Sequence, residues 1–212
     1  MRIVGPITHT RHVCLFLSEL HQLARALGLS GLNFVWVIGA AAGQESSEWM
    51  PEGFADLIAS GDRDFMVRGW APEMLILSHP ALGSRFVTHC GWNSVLEAVT
   101  AGVPMATWPR YGDHFNNKTL VVEQLKVGVS IGAKDYASGI EAHDVIAGEV
   151  TAESIQRLME SDAIRKKAKD HGVKARSMVE KGGSSYDDVA RLMGELTARR
   201  SSVKVGEDIQ AS

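Results

Sequence analysis

Apolar and polar positions alternate along the chain in blocks that predict strands followed by helices. The run LNFVWVIG at residues 32–39 is dominated by Val, Ile and aromatic side chains. Such runs are typical of parallel strands buried on both faces. The segment before it carries Leu and Ala at helical spacing and predicts a helix over residues 15–27, which stops near Gly28 or Gly31.

The same alternation continues through the middle of the chain. Further strands are predicted at DFMVRGW, RFVTH, VPMATW and VGVSIG, and further helices at PEGFADLIAS, PEMLILSH, VLEAVTAG and GDHFNNKTLVVEQL. Strict alternation of this kind favours an α/β fold with a Rossmann-like, doubly wound parallel sheet covered by helices on both faces. Residues 40–50 and 133–150 are predicted as loops. Helices are then predicted to begin at Thr151, as an N-cap, at Asp162 and near Ser184.

The domain boundaries are predicted from where the alternation of strands and helices is clear. Residues 15–199 are predicted to form one domain, with the C-terminal helices attached to it. Residues 1–14 read as a truncated or irregular start, because Pro6 weakens this segment as a central strand. Residues 200–212 are predicted to be a disordered tail.

Composition narrows the class of protein. The chain has 212 residues, a formal net charge of -3 and 45% hydrophobic residues, which is ordinary globular composition without the basic surface of a nucleic-acid-binding protein. No apolar run has the length of a membrane span or the form of a signal peptide. Cys14 and Cys90 provide neither a metal-binding spacing nor a disulfide framework. We therefore expect a cytoplasmic protein without a metal or cofactor.

The candidate chemistry lies around the predicted strand–turn–helix of residues 85–102. The first N–H groups of a helix lack internal partners and carry the positive end of its dipole, so a diphosphate can bind there. Gly91 would let the backbone approach a ligand closely. His89, Asn93 and Ser94 add side-chain donors around the same point. A Cys90–His89 nucleophile pair is disfavoured, because neighbouring residues on a strand point to opposite faces.

Acidic and aromatic residues on either side extend this candidate site. Glu97 shares a helix face with Asn93 and Ser94, and its carboxylate could accept hydrogen bonds from two ribose hydroxyls. Trp70 could stack on a base, and Asp113 with His114 could bind the hydroxyls of a sugar. Taken alone, Trp70 would more often be a core aromatic residue and Glu97 a solvated helix charge.

Residues 70–114 resemble the signature box of the plant UDP-dependent glycosyltransferases that act on secondary products. The resemblance extends from about Thr8 to Arg199 and corresponds to the C-terminal part of such enzymes. The matching residues are Trp70-Ala71-Pro72, His79-Pro80, Gly83, Thr88-His89-Cys90-Gly91-Trp92-Asn93-Ser94, Glu97, Gly102, Pro104, Pro109 and Asp113.

The resemblance implies the GT-B architecture of two facing Rossmann-like domains, with a UDP-sugar bound as the donor substrate. It implies that Trp70 stacks on uracil, that the Ala71 backbone bonds the edge of the base, and that Glu97 holds the ribose. Members of the family usually have Gln where this chain has Glu73, which places the ribose contact of that residue in question.

The rest of the box implies the diphosphate and sugar contacts. His89, Asn93 and Ser94 would hold the diphosphate, while Trp92, Asp113 and His114 would face the sugar. The last position of the box is usually Gln in glucosyltransferases and sometimes His in galactosyltransferases. His114 at this position therefore favours galactose as the sugar, without deciding between the two. The box also contains an additional residue between Gly83 and Phe86.

The implied reaction is inverting transfer of a hexose to a hydroxyl of a small lipophilic acceptor, such as a flavonoid or a terpenoid. This chain would supply the donor-binding half. The general-base His and the acceptor pocket are expected in an N-terminal domain that packs against it, so no catalytic residue is assigned here. Two alternatives stay open: a non-catalytic nucleotide-sugar-binding fragment, and a UDP-sugar epimerase.

Overall fold

A computed structural model describes residues 17–38, 46–60, 65–80, 85–133 and 145–210. The predicted irregular start at residues 1–14 lies outside the described residues. Of the two residues between Gly83 and Phe86, where the box is longer, Arg85 is described and Ser84 is not. The chain divides into two compact units after Gly172. The candidate site belongs to the first unit.

Helices and strands alternate along the first unit as the sequence predicts. In chain order, the elements of the chain are α1 (Leu17–Ser30), β1 (Val35–Ile38), α2 (Ser46–Trp49), α3 (Phe54–Ala59), β2 (Phe65–Arg68), α4 (Glu73–Leu77), β3 (Phe86–Thr88), α5 (Trp92–Ala101), β4 (Met105–Thr107), α6 (His114–Thr119), β5 (Gly128–Ser130), α7 (Gly148–Glu160), α8 (Asp162–Val179) and α9 (Ser184–Gln210). A π-helical turn at Leu120–Gln124 continues α6.

All strand pairs in the described residues are parallel. β1 pairs with β2 so that Val35 lies opposite Phe65, and β4 lies between β3 and β5. Parallel strands need crossover connections, and the helices between successive strands provide them. The α/β class with parallel strands is therefore confirmed.

Two groups of buried side chains form the core. One lies around Trp36, which packs edge-on against Trp49, and it includes the apolar face of α1. The other surrounds β3 and α5. Its members are Val37, Ala71, Leu77, Phe86, Cys90, Val95, Ala98, Val103, Met105, Val121, Val127 and Ala168. This second group holds the strand–turn–helix of the candidate site on a rigid base.

Helix α5 ends and begins for identifiable reasons. Gly102 adopts the left-handed conformation (φ 72°) that ends many helices, as predicted. The helix begins at Trp92 and not at Val95, because the N–H of Val95 already bonds the Gly91 carbonyl at 3.1 Å. The first turn therefore contains Trp92, Asn93 and Ser94.

Three other features of the secondary structure differ from the sequence predictions. α2 forms within the loop predicted at residues 40–50. α7 begins at Gly148, so Thr151 is a buried helix residue and not the N-cap; the Gln22 side chain from α1 accepts the Gly148 N–H at 2.7 Å. α9 continues to Gln210, where a disordered tail was predicted from residue 200. That stretch contains no proline to interrupt a helix.

Candidate functional site

The candidate residues follow the carboxyl ends of parallel strands. Trp70 comes two residues after β2, His89 directly follows β3, and Asp113 lies in the loop after β4. In α/β folds, ligands bind beyond these strand ends. Trp70 is 64% exposed, so it is not a core aromatic residue, and its stacking role stays a prediction.

The turn between β3 and α5 has a strained backbone that its neighbours hold in place. Cys90 has a φ of 67°, a left-handed conformation that non-glycine residues seldom adopt. Its N–H donates to the Thr88 hydroxyl at 3.1 Å, and its carbonyl accepts a hydrogen bond from the Asn117 amide at 2.9 Å. The Cys90 thiol is buried, and burial raises its pKa to about 12. Because only a thiolate is a good nucleophile, this cysteine is structural.

Gly91 is required because the ring of His89 lies directly against it. A Cβ at position 91 would stand 2.4 Å from Nε2 of His89, well inside van der Waals contact. His89 is half-buried, and its ring meets that of His114 edge-on with centroids 4.8 Å apart. The absence of a side chain at position 91 therefore leaves the space that the His89 ring occupies.

The N-terminus of α5 is open toward this histidine. Gly91 is the N-cap residue and provides no side-chain cap, so the first backbone N–H groups are left for another partner. Trp92 and Asn93 are exposed, while Ser94 is buried. Open N–H groups beside an imidazole and an exposed amide make this turn suited to an anion.

Ser94 does not face the same way as Asn93, because Ser94 is buried and Asn93 is exposed. Its hydroxyl hydrogen-bonds the side chain of Glu73 at the start of α4. Burial, together with the nearby charge of Glu97, raises the pKa of Glu73 from 4.5 to about 7. Burial also raises the pKa of Glu97. The two glutamates form a carboxyl pair that holds a proton near neutral pH.

His114 is more deeply buried than the sequence indicates for a residue that contacts a sugar. It is 5% exposed, and the Tyr111 N–H donates to its Nδ1 at 3.4 Å. Burial lowers the pKa of His114; Asp113 opposes this, and the Arg110 charge adds to it. The ring is therefore neutral at pH 7 and carries its proton on Nε2.

Asn117 is a residue of the site that the sequence interpretation did not include. Its amide donates to the Asp113 carboxylate at 2.7 Å and to the Cys90 carbonyl. It thereby joins the sugar end of the candidate site to the β3–α5 turn. The spacing of four residues between Asp113 and Asn117 on a predicted helix was the available signal.

The structure brings the predicted residues together around the strand ends. His89, Gly91 and His114 form one contact group, and Glu73, Ser94 and Glu97 form another. Asp113 is exposed, and Ala71 is buried beside the exposed Trp70. Within the described ranges, no group of three or more His, Cys, Asp or Glu could hold a metal ion. Among the described helices, none combines the length and apolar character that a membrane span requires.

Comparison with known proteins identifies the family. The family model described as UDP-glucoronosyl and UDP-glucosyl transferase matches residues 14–160. The chain therefore belongs to the family of UDP-glucuronosyl and UDP-glucosyl transferases, which confirms the resemblance found in its signature box.

Plant members of the family are among its relatives. The chain is 43% identical over 187 residues to UDP-glucose flavonoid 3-O-glucosyltransferase 7 of Fragaria ananassa, covering 84% of this chain and 38% of that protein. It is 42% identical over 184 residues to soyasapogenol B glucuronide galactosyltransferase of Glycine max, covering 84% of this chain and 37% of that protein. The chain thus spans about two fifths of the length of these relatives.

Solved structures of plant enzymes share the fold. A Glycyrrhiza uralensis glycosyltransferase complexed with glycyrrhetinic acid 3-O-monoglucuronide superposes with a TM-score of 0.82 at 30% identity, over 98% of this chain and 43% of that one. A Medicago truncatula glycosyltransferase complexed with UDP-glucose gives 0.79 at 33% identity, over 92% of this chain and 40% of that one. The Rossmann-like, GT-B assignment is confirmed over this region.

Proposed function

We propose that this chain binds the UDP-sugar donor of a glycosyltransferase that transfers a hexose to a hydroxyl of a small lipophilic acceptor. The observation that carries the proposal is the uncapped N-terminus of α5, with His89 fixed beside it and the Glu73–Glu97 pair one helical turn further on. This arrangement offers anion-binding groups and hydroxyl-binding groups at adjacent points, as a nucleotide diphosphate requires.

Each part of the donor meets a group of suitable chemistry. The exposed Trp70 ring supplies a stacking surface for uracil, and the Ala71 backbone can bond the edge of the base. Glu97 accepts hydrogen bonds from the ribose hydroxyls. The α5 N–H groups, His89 and Asn93 stabilise the negative charge that builds up on the diphosphate as the sugar leaves.

The sugar lies beyond the diphosphate in this proposal, next to Trp92, Asp113 and His114. Relatives named as glucosyltransferases and as a galactosyltransferase match the chain to a similar degree, so both hexoses are candidates. The nature of the acceptor, the role of a preceding domain that packs on this one, and a cytoplasmic location stay predictions from the sequence. No metal or cofactor has a part in the proposed reaction.

Binding of UDP to the 212-residue chain, measured by calorimetry, tests the proposal. Glu97→Ala is expected to weaken that binding by about 1.5–3 kcal/mol, the value for a hydrogen bond to a charged group. Glu153→Ala removes an exposed helix glutamate away from the site and is the matched control. Equal UDP affinity for the parent and Glu97→Ala would remove the ribose role of Glu97, and absence of UDP binding by the parent would refute the proposal.

Replacement of His114 tests the sugar assignment. His114→Gln is expected to shift the ratio of affinities from UDP-galactose toward UDP-glucose, by about tenfold or less, since a single contact in a polar pocket seldom controls specificity alone. The measurement is calorimetry with both donors and with UDP alone. UDP affinity is expected to stay the same, and an unchanged ratio for the two donors would remove His114 from sugar recognition.

A further inference from the structure

A single buried amide group contacts both ends of the candidate site. The side-chain nitrogen of Asn117, on α6, donates to the Cys90 carbonyl at 2.9 Å and to an Asp113 carboxylate oxygen at 2.7 Å. Asn117 is 7% exposed. An amide nitrogen has two hydrogens, so each acceptor takes one of them. Because both neighbours are acceptors, the nitrogen and not the oxygen of the amide must face them, and the two contacts fix the orientation of the group.

The first contact fixes a peptide unit in the turn before α5. Cys90 has a left-handed φ of 67°, which persists in a non-glycine residue only where its surroundings impose it. The Thr88 hydroxyl accepts its N–H, and Asn117 donates to its carbonyl, so a buried side chain holds the backbone on either side of Cys90. The peptide bond from Cys90 to Gly91 is trans, so the Gly91 N–H points away from Asn117. Asn117 therefore sets the direction of the N–H group that precedes the first turn of α5.

The second contact holds an exposed carboxylate in one orientation. Asp113 is the N-cap residue of α6, yet its side chain makes no capping hydrogen bond and accepts from the Asn117 amide instead. A hydrogen bond between a buried amide and a carboxylate is charge-assisted and restricts the rotamers of the acid. A carboxylate that is already oriented loses less conformational entropy when it binds a hydroxyl group. Asn117 thus prepares Asp113 for a ligand.

We propose that Asn117 is a positioning residue that supports the diphosphate end and the sugar end of the donor site with one amide group. It holds the Cys90–Gly91 peptide, which leads into the anion-binding turn, and the Asp113 carboxylate, which faces the sugar. Loss of this amide then weakens both parts of donor recognition, and it weakens the sugar part only through Asp113. This inference rests on the proposed donor-binding function and adds to it a residue beyond the signature box.

Asn117→Ala removes both hydrogen bonds and tests the diphosphate end first. Without the amide, the Cys90–Gly91 peptide can rotate, and the N–H groups before α5 lose their alignment. The affinity of the complete chain for UDP, measured by calorimetry, is expected to fall about tenfold, which corresponds to the loss of one hydrogen bond. Asn116→Ala is the matched control, because Asn116 is the exposed neighbour on the same helix, and it should keep the UDP affinity of the parent.

A double-mutant cycle with Asp113 tests the sugar end. Asn117→Ala is expected to lower the affinity for UDP-glucose and UDP-galactose relative to that for UDP, by about threefold to tenfold, because Asp113 loses its support. When Asp113→Ala is already present, Asn117→Ala should still weaken UDP binding but should not change this ratio of affinities further. A general loss of structure would instead weaken the binding of all three ligands in parallel in both backgrounds.

A second variant keeps the test decisive if Asn117→Ala does not fold. Asn117→Ser retains one hydroxyl donor, which can serve Cys90 or Asp113 but not both, so the UDP affinity, the ratio of affinities or both should fall. Parental values of both quantities in a folded variant would overturn the positioning role of Asn117. So would a change of the ratio that is equal with and without Asp113. Failure of the parent chain to bind UDP would overturn the proposed function instead.

Discussion

At pH 8, Glu73→Gln is expected to have a free energy of unfolding higher than that of the parent by roughly 1–3 kcal/mol, since each pKa unit corresponds to about 1.4 kcal/mol. In the folded chain, burial and the charge of Glu97 raise the pKa of Glu73 from 4.5 to about 7. Above pH 7 the folded chain holds an ionised Glu73 in an unfavourable place, whereas the unfolded chain does not. Gln keeps the shape of the side chain and removes that charge.

The size of this difference in the free energy of unfolding depends on pH within a defined window. Below pH 4.5 the carboxyl group is protonated in both states, so Glu73→Gln and the parent should unfold alike. Between pH 4.5 and about 7 only the folded chain holds the proton, and the stability of the parent relative to the variant falls as the pH rises. Urea unfolding at pH 4 and pH 8 measures the difference.

Controls keep the interpretation specific to the carboxyl pair. Glu153→Gln, at an exposed position on α7, should show no such dependence. A stability difference between Glu73→Gln and the parent that is equal at pH 4 and pH 8 would contradict the raised pKa. It would point to packing as the cause of the difference.

Periodicity predicted most elements because it reflects burial directly. The apolar run around Trp36 became the fully buried β1, and Gly102 ended α5 in the left-handed conformation. The positions of His89 and Asp113 could also be predicted, because the ends of successive parallel strands meet at the same edge of the fold. The signature box indicated the family, and the roles proposed for the site residues rest on it.

Two features could not be predicted from the sequence: contacts between residues that lie far apart in the chain, and how deeply a side chain is buried. Nothing in the local pattern indicates that Glu19 pairs with Arg110 across 91 residues, or that Gln22 would start α7 at Gly148. The depth of His114 and the meeting of Glu73 with Glu97 follow from packing between elements. Local propensities do not encode such packing.

Gly91→Ala is expected to weaken UDP binding by roughly 2–4 kcal/mol, which is about 30-fold to 1,000-fold, because it displaces a side-chain donor from a charged ligand. The added Cβ would lie 2.4 Å from Nε2 of His89 and 3.2 Å from its Cδ2, so the ring must leave its position beside the α5 N-terminus. The backbone itself accepts alanine, since Gly91 has a φ of -58°. The fold should therefore persist while the anion site is lost.

A double-mutant cycle with His89 separates this explanation from a general disturbance of the turn. If the clash with the His89 ring is the cause, His89→Ala alone should weaken UDP binding, and Gly91→Ala added to it should cost little more, because the two changes act on one contact. Gly194→Ala is the matched control, since a Cβ there meets no atom within 4 Å, and it should leave UDP affinity unchanged. Additive losses in the cycle would show that Gly91 acts through the backbone of the turn and not through the position of His89.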